Sequence, residues 1–224
     1  MEHGQEVPGR QPSQIFHRGC QGQGTTLQGS RWRRLRCTRS RNEDRSDRRI
    51  QSIRMPKGNK MKRRVFYSFH FDQDSRRAAQ VRNIGVIEGN NPVSSNEWET
   101  VKRGGDLAIK RWINSNLQNR SCLIVLIGEH TSERKWIDYE IEQACNKGMG
   151  ILGIFIHNIK DPLLCKKGES GKSKMGKNPF DNFELENGQP LSSIVPCYNP
   201  KASNAYNDIA ANIEQWVEEA LDAI

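Results

Sequence analysis

Two unbroken apolar runs, SCLIVLIG at Ser121–Gly128 and GILGIFI at Gly150–Ile156, constrain this chain more than any other feature. Each is about one strand long. Neither alternates with polar residues, so each fits a strand buried on both faces rather than one with a wet side. The stretch between them reads as a helix. Thr131 or Ser132 can cap it, Ile137, Ile141 and Ala144 recur at helical spacing, and Gly148 sits just past an end near Asn146. A buried strand, a helix and a second buried strand imply a parallel sheet sandwiched by helices, the flavodoxin-like α/β class.

The flanking segments extend this pattern. Arg64–Phe69 (RVFYSF) is short, aromatic and β-branched, and is expected to be a strand. Ser75–Arg82 reads as a helix capped by Asp74 or Ser75. Residues 83–105 carry turn signals (Asn90, Asn91, Pro92, Gly104, Gly105) and are expected to form a long irregular loop. Asp106–Leu117 is a helix with Leu107, Ile109, Ile113 and Leu117 at helical spacing. Residues 157–200 read as loop-rich, and Ser203–Leu221 as a closing amphipathic helix with Ile209, Ile213, Trp216, Val217 and Ala220 on one face. In such a fold ligands bind beyond the carboxyl ends of the strands. The tips 68–72, 128–132 and 157–161 should therefore face one crevice.

Charge divides the chain at about residue 60. Residues 1–60 hold 14 basic and 5 acidic side chains, no alanine and few apolar residues; residues 61–224 hold 21 of each sign. The first segment is expected to be a disordered, Arg-rich tail and the second a single domain. The tail is either a solvated extension, or a start placed too early with Met55 or Met61 as the true one, or a nucleic-acid-binding arm through its arginines. Nucleic acid is the least favoured of these. The apolar runs, Cys122 to Gly128 among them, are far short of the roughly 20 residues needed to span a bilayer. With no apolar leader, the chain is expected to be cytoplasmic. Six cysteines and five histidines show neither a CxxC pair nor zinc-ligand spacing, so no metal is expected.

Familiar phosphate and nucleophile signatures are missing. GKSK at Gly171 follows no strand, and GxGxxG and Gly-x-Ser-x-Gly do not occur in a strand–helix setting. The central strand ends in Ile127-Gly128-Glu129, with no aspartate at its tip. What remains is the helix TSERKWIDYEIEQA. Trp136 and Glu140 are four residues apart and share a face beside the buried stripe. A carboxylate there is costly unless paired or useful. An ion pair with Arg134, Lys135 or Lys147, or a backbone hydrogen bond, would account for it without function.

RVFYSFHFDQD, Val81–Asn83 (VRN), SCLIVLIGEHTSERKWIDYEI and GILGIFIHNIKD together resemble the TIR-like proteins of bacterial Thoeris antiphage systems. In the wider TIR family the likeness lies in the first strand, here Tyr67-Ser68-Phe69, and in Trp-x-x-x-Glu, here Trp136 and Glu140. The Arg-Asp-x-x-Pro-Gly loop of ordinary TIR domains has no counterpart in residues 83–105. The resemblance implies an enzyme that cleaves the nicotinamide–ribose bond of NAD and makes a cyclic ADP-ribose isomer, a messenger that activates a partner effector. It makes Glu140 the catalytic carboxylate. Phe69, His70, Asp72 and Trp136 become substrate-binding candidates, although Asp72 also suits a helix cap and Trp136 plain core packing. NAD is then substrate rather than cofactor, no metal is needed, and self-assembly is implied. The alternative is a non-catalytic TIR-like interaction module.

Overall fold

Cys122–Ile127 forms the central strand of a four-stranded parallel sheet, and all six of its residues are buried. The computed structural model describes residues 33–35, 62–89 and 95–223. In chain order the elements are β1 (Arg33–Leu35), β2 (Val65–Ser68), α1 (Phe71–Arg82), α2 (Ser95–Arg103), α3 (Gly105–Asn116), β3 (Cys122–Ile127), α4 (Lys135–Asn146), β4 (Gly150–Phe155), α5 (Pro162–Lys166), β5 (Phe183–Leu185), β6 (Cys197–Tyr198) and α6 (Ala205–Asp222). The main sheet runs β2-β3-β4-β6, with Val65 opposite Cys122 and Cys122 opposite Gly150.

Alternate residues of each strand feed two cores. Phe66, Leu123, Val125, Ile127 and Ile151 pack under α3 and α4. Val65, Tyr67, Ile124, Leu126, Leu152 and Ile154 pack under α1 and α6. Because successive side chains point to opposite faces and both faces are covered, every position must be apolar, which is why the runs do not alternate. Gly153 lets β6 approach β4: a Cβ there would stand 2.8 Å from both Cys197 Sγ and Ile127 Cδ1. Among the described residues, no helix is long and apolar enough to cross a membrane.

Several local expectations are corrected. α1 begins at Phe71, not Ser75, and its N-cap position, His70, makes no side-chain cap bond. Aromatic packing replaces the polar cap, since the Phe71 ring meets Phe69 at 6.3 Å and Trp98 at 6.3 Å. Asp74 lies inside, 2% exposed and 3.4 Å from Arg77. Residues 83–105 are not wholly irregular, because Ser95–Arg103 is helical, with Trp98 and Val101 at a three-residue spacing against the core. Neither Thr131 nor Ser132 caps α4: Thr131 opens a short 3-10 turn, its Oγ1 accepting from Gly128 N–H at 2.9 Å, and the N-cap position of α4 is Arg134, which makes no side-chain cap bond. Gly148, at φ +61°, closes α4 as expected.

The stretch 157–200 supplies β5, β6 and α5, short elements that no periodic pattern announces. Arg33–Leu35 pairs in parallel with Phe183–Leu185, where no regular element was expected. Pairing of this kind uses backbone groups and needs no apolar run. The remainder of the expected tail, together with residues 90–94, lies outside the described residues.

Leu107 is 61% exposed although it shares its spacing with Ile109 and Ile113. Chemical denaturation should separate the two kinds of position. Ile124→Ala, at a wholly buried site, is expected to cost about 2–5 kcal/mol. Leu107→Ala should stay within about 0.5 kcal/mol of the parent.

Candidate active site

The site begins where β2 ends. Ser68, its last residue, is 1% exposed and points to the α3/α4 side, opposite to Tyr67. α4 lies on that side, held to the sheet by Ile137, Ile141 and Ala144, each at most 3% exposed. This docking carries Glu140, 8% exposed, to the strand's end. Ser68 Oγ–H donates to Glu140 Oε2 at 2.5 Å. Among the described residues Glu140 forms no ion pair, so none of the lysine or arginine partners considered from the sequence is engaged with it.

Burial pushes the Glu140 carboxyl up to about 8, and the Ser68 hydrogen bond opposes part of that rise. The free protein therefore carries a largely neutral Glu140 at pH 7. Few surface carboxylates behave this way, and such a shift beside a cleft is a functional signature.

The cleft is there. A pocket enclosing about 440 Å³, open mouth included, is lined by Phe66, Tyr67, Phe69, Phe71, Arg82, Trp98, Trp112 and Glu140. Its aromatic wall is continuous: Phe69 meets Phe71, Phe71 meets Trp98, Trp98 meets Trp112 at 5.6 Å, and Trp112 meets Phe66 at 6.5 Å. Flat apolar rings exclude water and offer negative π faces to a cationic ring. A carboxylate set among them acts in a medium where its charge is weakly screened.

Of the candidates drawn from the sequence, the structure brings Glu140 and Phe69 into this wall. His70 is not among the lining residues; it is 8% exposed, and burial followed by nearby Arg134 holds it below the usual histidine range. Asp72 is exposed on the first turn of α1, 3.9 Å from His70 Nε2. Trp136 is not in the wall. Its indole packs edge-on to Tyr139 at 6.2 Å, under the Lys135 ammonium. Four residues along a helix is also about 6 Å along its axis, and that displacement takes Trp136 away from the strand end.

Reasoning from sequence missed Trp98, Trp112, Phe71, Arg82 and the role of Ser68. Trp112 was not among the helically spaced positions Leu107, Ile109, Ile113 and Leu117, and only its meeting with Trp98 across two helices makes a wall. The expected single crevice over three strand tips is also corrected. Residues 171–176 strap the tips of β3 and β4: Ser173 N–H donates to His157 O at 3.0 Å, Asp161 N–H to Gly171 O at 2.8 Å, and Gly176 lies against Gly128. The buried Arg77 pins the strap through Ile159 O and Gly171 O. The open cavity is thereby left at the tip of β2, the sheet's edge strand.

Residues 66–161 match the family model for the TIR-like domain of the Thoeris protein ThsB. The chain is also 42% identical over 126 residues to a protein of Bacillus cereus (strain MSX-D12) named "Putative cyclic ADP-D-ribose synthase ThsB1". That alignment covers 54% of this chain and 62% of the relative's length.

The raised Glu140 pKa has a consequence for stability. Between the ordinary carboxyl pKa of 4.5 and about 8 the folded state holds the proton more tightly than the unfolded chain. Stability from this group is therefore complete below pH 4.5 and is lost as pH rises to about 8. Thermal unfolding of Glu140→Gln, which keeps the shape without the charge, should match the parent near pH 5 and exceed it increasingly up to pH 8.5. A constant difference across that range would mean that Glu140 titrates normally.

Proposed function

We propose, from the match of residues 66–161 to the family model for the TIR-like domain of the Thoeris protein ThsB, that the chain belongs to that family and that the protein consumes NAD and converts it to nicotinamide and a cyclic ADP-ribose isomer, the messenger of an antiphage response. The observation that carries this reading is the buried Glu140 carboxyl, hydrogen-bonded to Ser68 on the floor of an aromatic pocket. The name of the Bacillus cereus relative points to the same product class.

The chemistry follows from charge. NAD brings a cationic pyridinium ring, which the rings of Phe69, Trp98 and Trp112 can receive. Its charge beside Glu140 favours the carboxylate, so substrate entry expels the proton that burial retained. The C1′–N bond then breaks and its electron pair leaves with neutral nicotinamide. Positive charge passes to the ribose, as in glycoside cleavage. Ser68 holds Oε2, which leaves Oε1 for the ribose hydroxyls and the developing cation. A carboxylate fixed before the reaction costs no reorganisation during it.

Closure completes the balance. A hydroxyl of the second ribose attacks C1′, and its proton passes to Glu140. The acceptor regains basicity because the cation that depressed its pKa has been consumed. One NAD gives one nicotinamide, one cyclic product and one proton. Dryness matters here, since water would compete as nucleophile, and α2, carrying Trp98, covers the pocket's outer side. The messenger would reach a separate effector protein.

Purified protein incubated with NAD and lysate of phage-infected cells is expected to release nicotinamide, followed by chromatography. Glu140→Gln should reduce release by at least about 10²-fold while retaining the parent's circular dichroism spectrum. kcat/KM should climb with pH through about 8, where the free Glu140 ionises, and kcat should level off at a lower pH. Undiminished release from a folded Glu140→Gln protein would reject the reading and leave a docking module.

A further inference from the structure

The pocket holds a second charge that the cleavage chemistry does not use. Arg82, the last residue of α1, lines it together with Glu140. The two arrive from opposite sides of the sheet. α1 covers the face to which Tyr67 points, and α4 the face to which Phe66 and Ser68 point. One cavity contains both Phe66 and Tyr67 in its wall because β2 is the outermost strand of the sheet, bridged on its outer side at its start, where Val65 N–H donates to Glu88 O at 2.8 Å, and the cavity reaches both faces of the strand beyond that bridge. The same wall thus carries a carboxyl from one face of the sheet and an arginine from the other, together with aromatic rings.

A pocket so arranged is complementary to a ligand with a cationic ring at one end and an anion beyond it. We infer that Arg82 is a specificity-determining residue that binds the diphosphate of a pyridinium dinucleotide while Glu140 faces its nicotinamide ribose. This rests on the NAD reading above. The guanidinium remains charged at pH 7 and presents paired donors that match phosphate oxygens. Partial burial lowers its pKa from the ordinary arginine value, and the phenol of Tyr67 is a neighbouring group that opposes part of that fall. Arg82 takes no part in bond breaking. It sets which pyridinium compounds are held: those with phosphate two bonds beyond the ribose ring, in preference to the bare riboside.

The test uses two half-ligands and tryptophan quenching, since Trp98 and Trp112 line the pocket. ADP-ribose carries the diphosphate without the cationic ring, and nicotinamide riboside carries the ring without phosphate. Arg82→Gln is expected to weaken ADP-ribose on the order of 10- to 100-fold and to leave nicotinamide riboside within about twofold, so that the riboside doubles as the folding control. Arg82→Lys, which keeps a point charge but loses the fork, should recover part of the ADP-ribose affinity. Undiminished ADP-ribose binding by Arg82→Gln would overturn the Arg82 assignment alone. Equal loss of both ligands in both variants would make Arg82 a wall residue and overturn it as well. Failure of the unsubstituted protein to bind either ligand would overturn the NAD reading on which it rests.

Discussion

The hydrogen bond from Ser68 Oγ to Glu140 Oε2 joins the end of β2 to the middle of α4, and both partners are almost wholly removed from water. A carboxyl in that position is expensive to ionise, which is why burial raises it to about 8. One hydroxyl moderates the cost without abolishing it. The balance leaves a group largely neutral at pH 7, which on the proposed reading ionises beside a cation. An exposed glutamate would be ionised always, and one buried without a partner would resist ionisation even with substrate present. The site's chemistry therefore depends on how far this one acid is desolvated, and that is fixed by how α4 sits on the sheet.

The docking of α4 is in turn a matter of ordinary packing. Ile137, Ile141 and Ala144 bury against the sheet, and Glu140 borders that stripe because a helix turn places it there. The same economy sets the pocket's position. In parallel α/β sheets the strand tips are the usual ligand platform, but here residues 171–176 and the buried Arg77 close the tips of β3 and β4. Space survives at the edge strand, where α2 and α3 bring Trp98 and Trp112 together. Reaching both faces of the outermost strand also places groups from both faces of the sheet, Arg82 and Glu140, in a single cavity.

How much of this was legible in the sequence differs by the kind of signal. The buried strands were plain, since a strand covered on both faces must be apolar throughout, and Cys122–Ile127 and Gly150–Phe155 are wholly buried. Glu140 was legible as an acid misplaced beside an apolar stripe, and the resemblance gave it a role. The start of α1 was not, because its N-terminus is secured by stacked rings rather than by a polar cap. α2 was obscured by the turn residues in front of it. β6, two residues long, has no period to detect. The aromatic wall was invisible for a different reason: its members come from β2, α1, α2 and α3, and nothing along the chain says that those surfaces meet. Trp136, one helical turn before Glu140 in sequence, stands outside the cavity, while Trp98 and Trp112, distant in sequence, line it.

Proton linkage at the moment of binding tests the central claim most directly. Titration calorimetry of NAD into the protein at pH 7, repeated in buffers of different ionisation enthalpy, counts the protons exchanged. An acid with a pKa of about 8 that ionises beside a pyridinium should release close to one proton per site, and Glu140→Gln should release none. Binding without proton release, or release that persists in Glu140→Gln, would contradict the account.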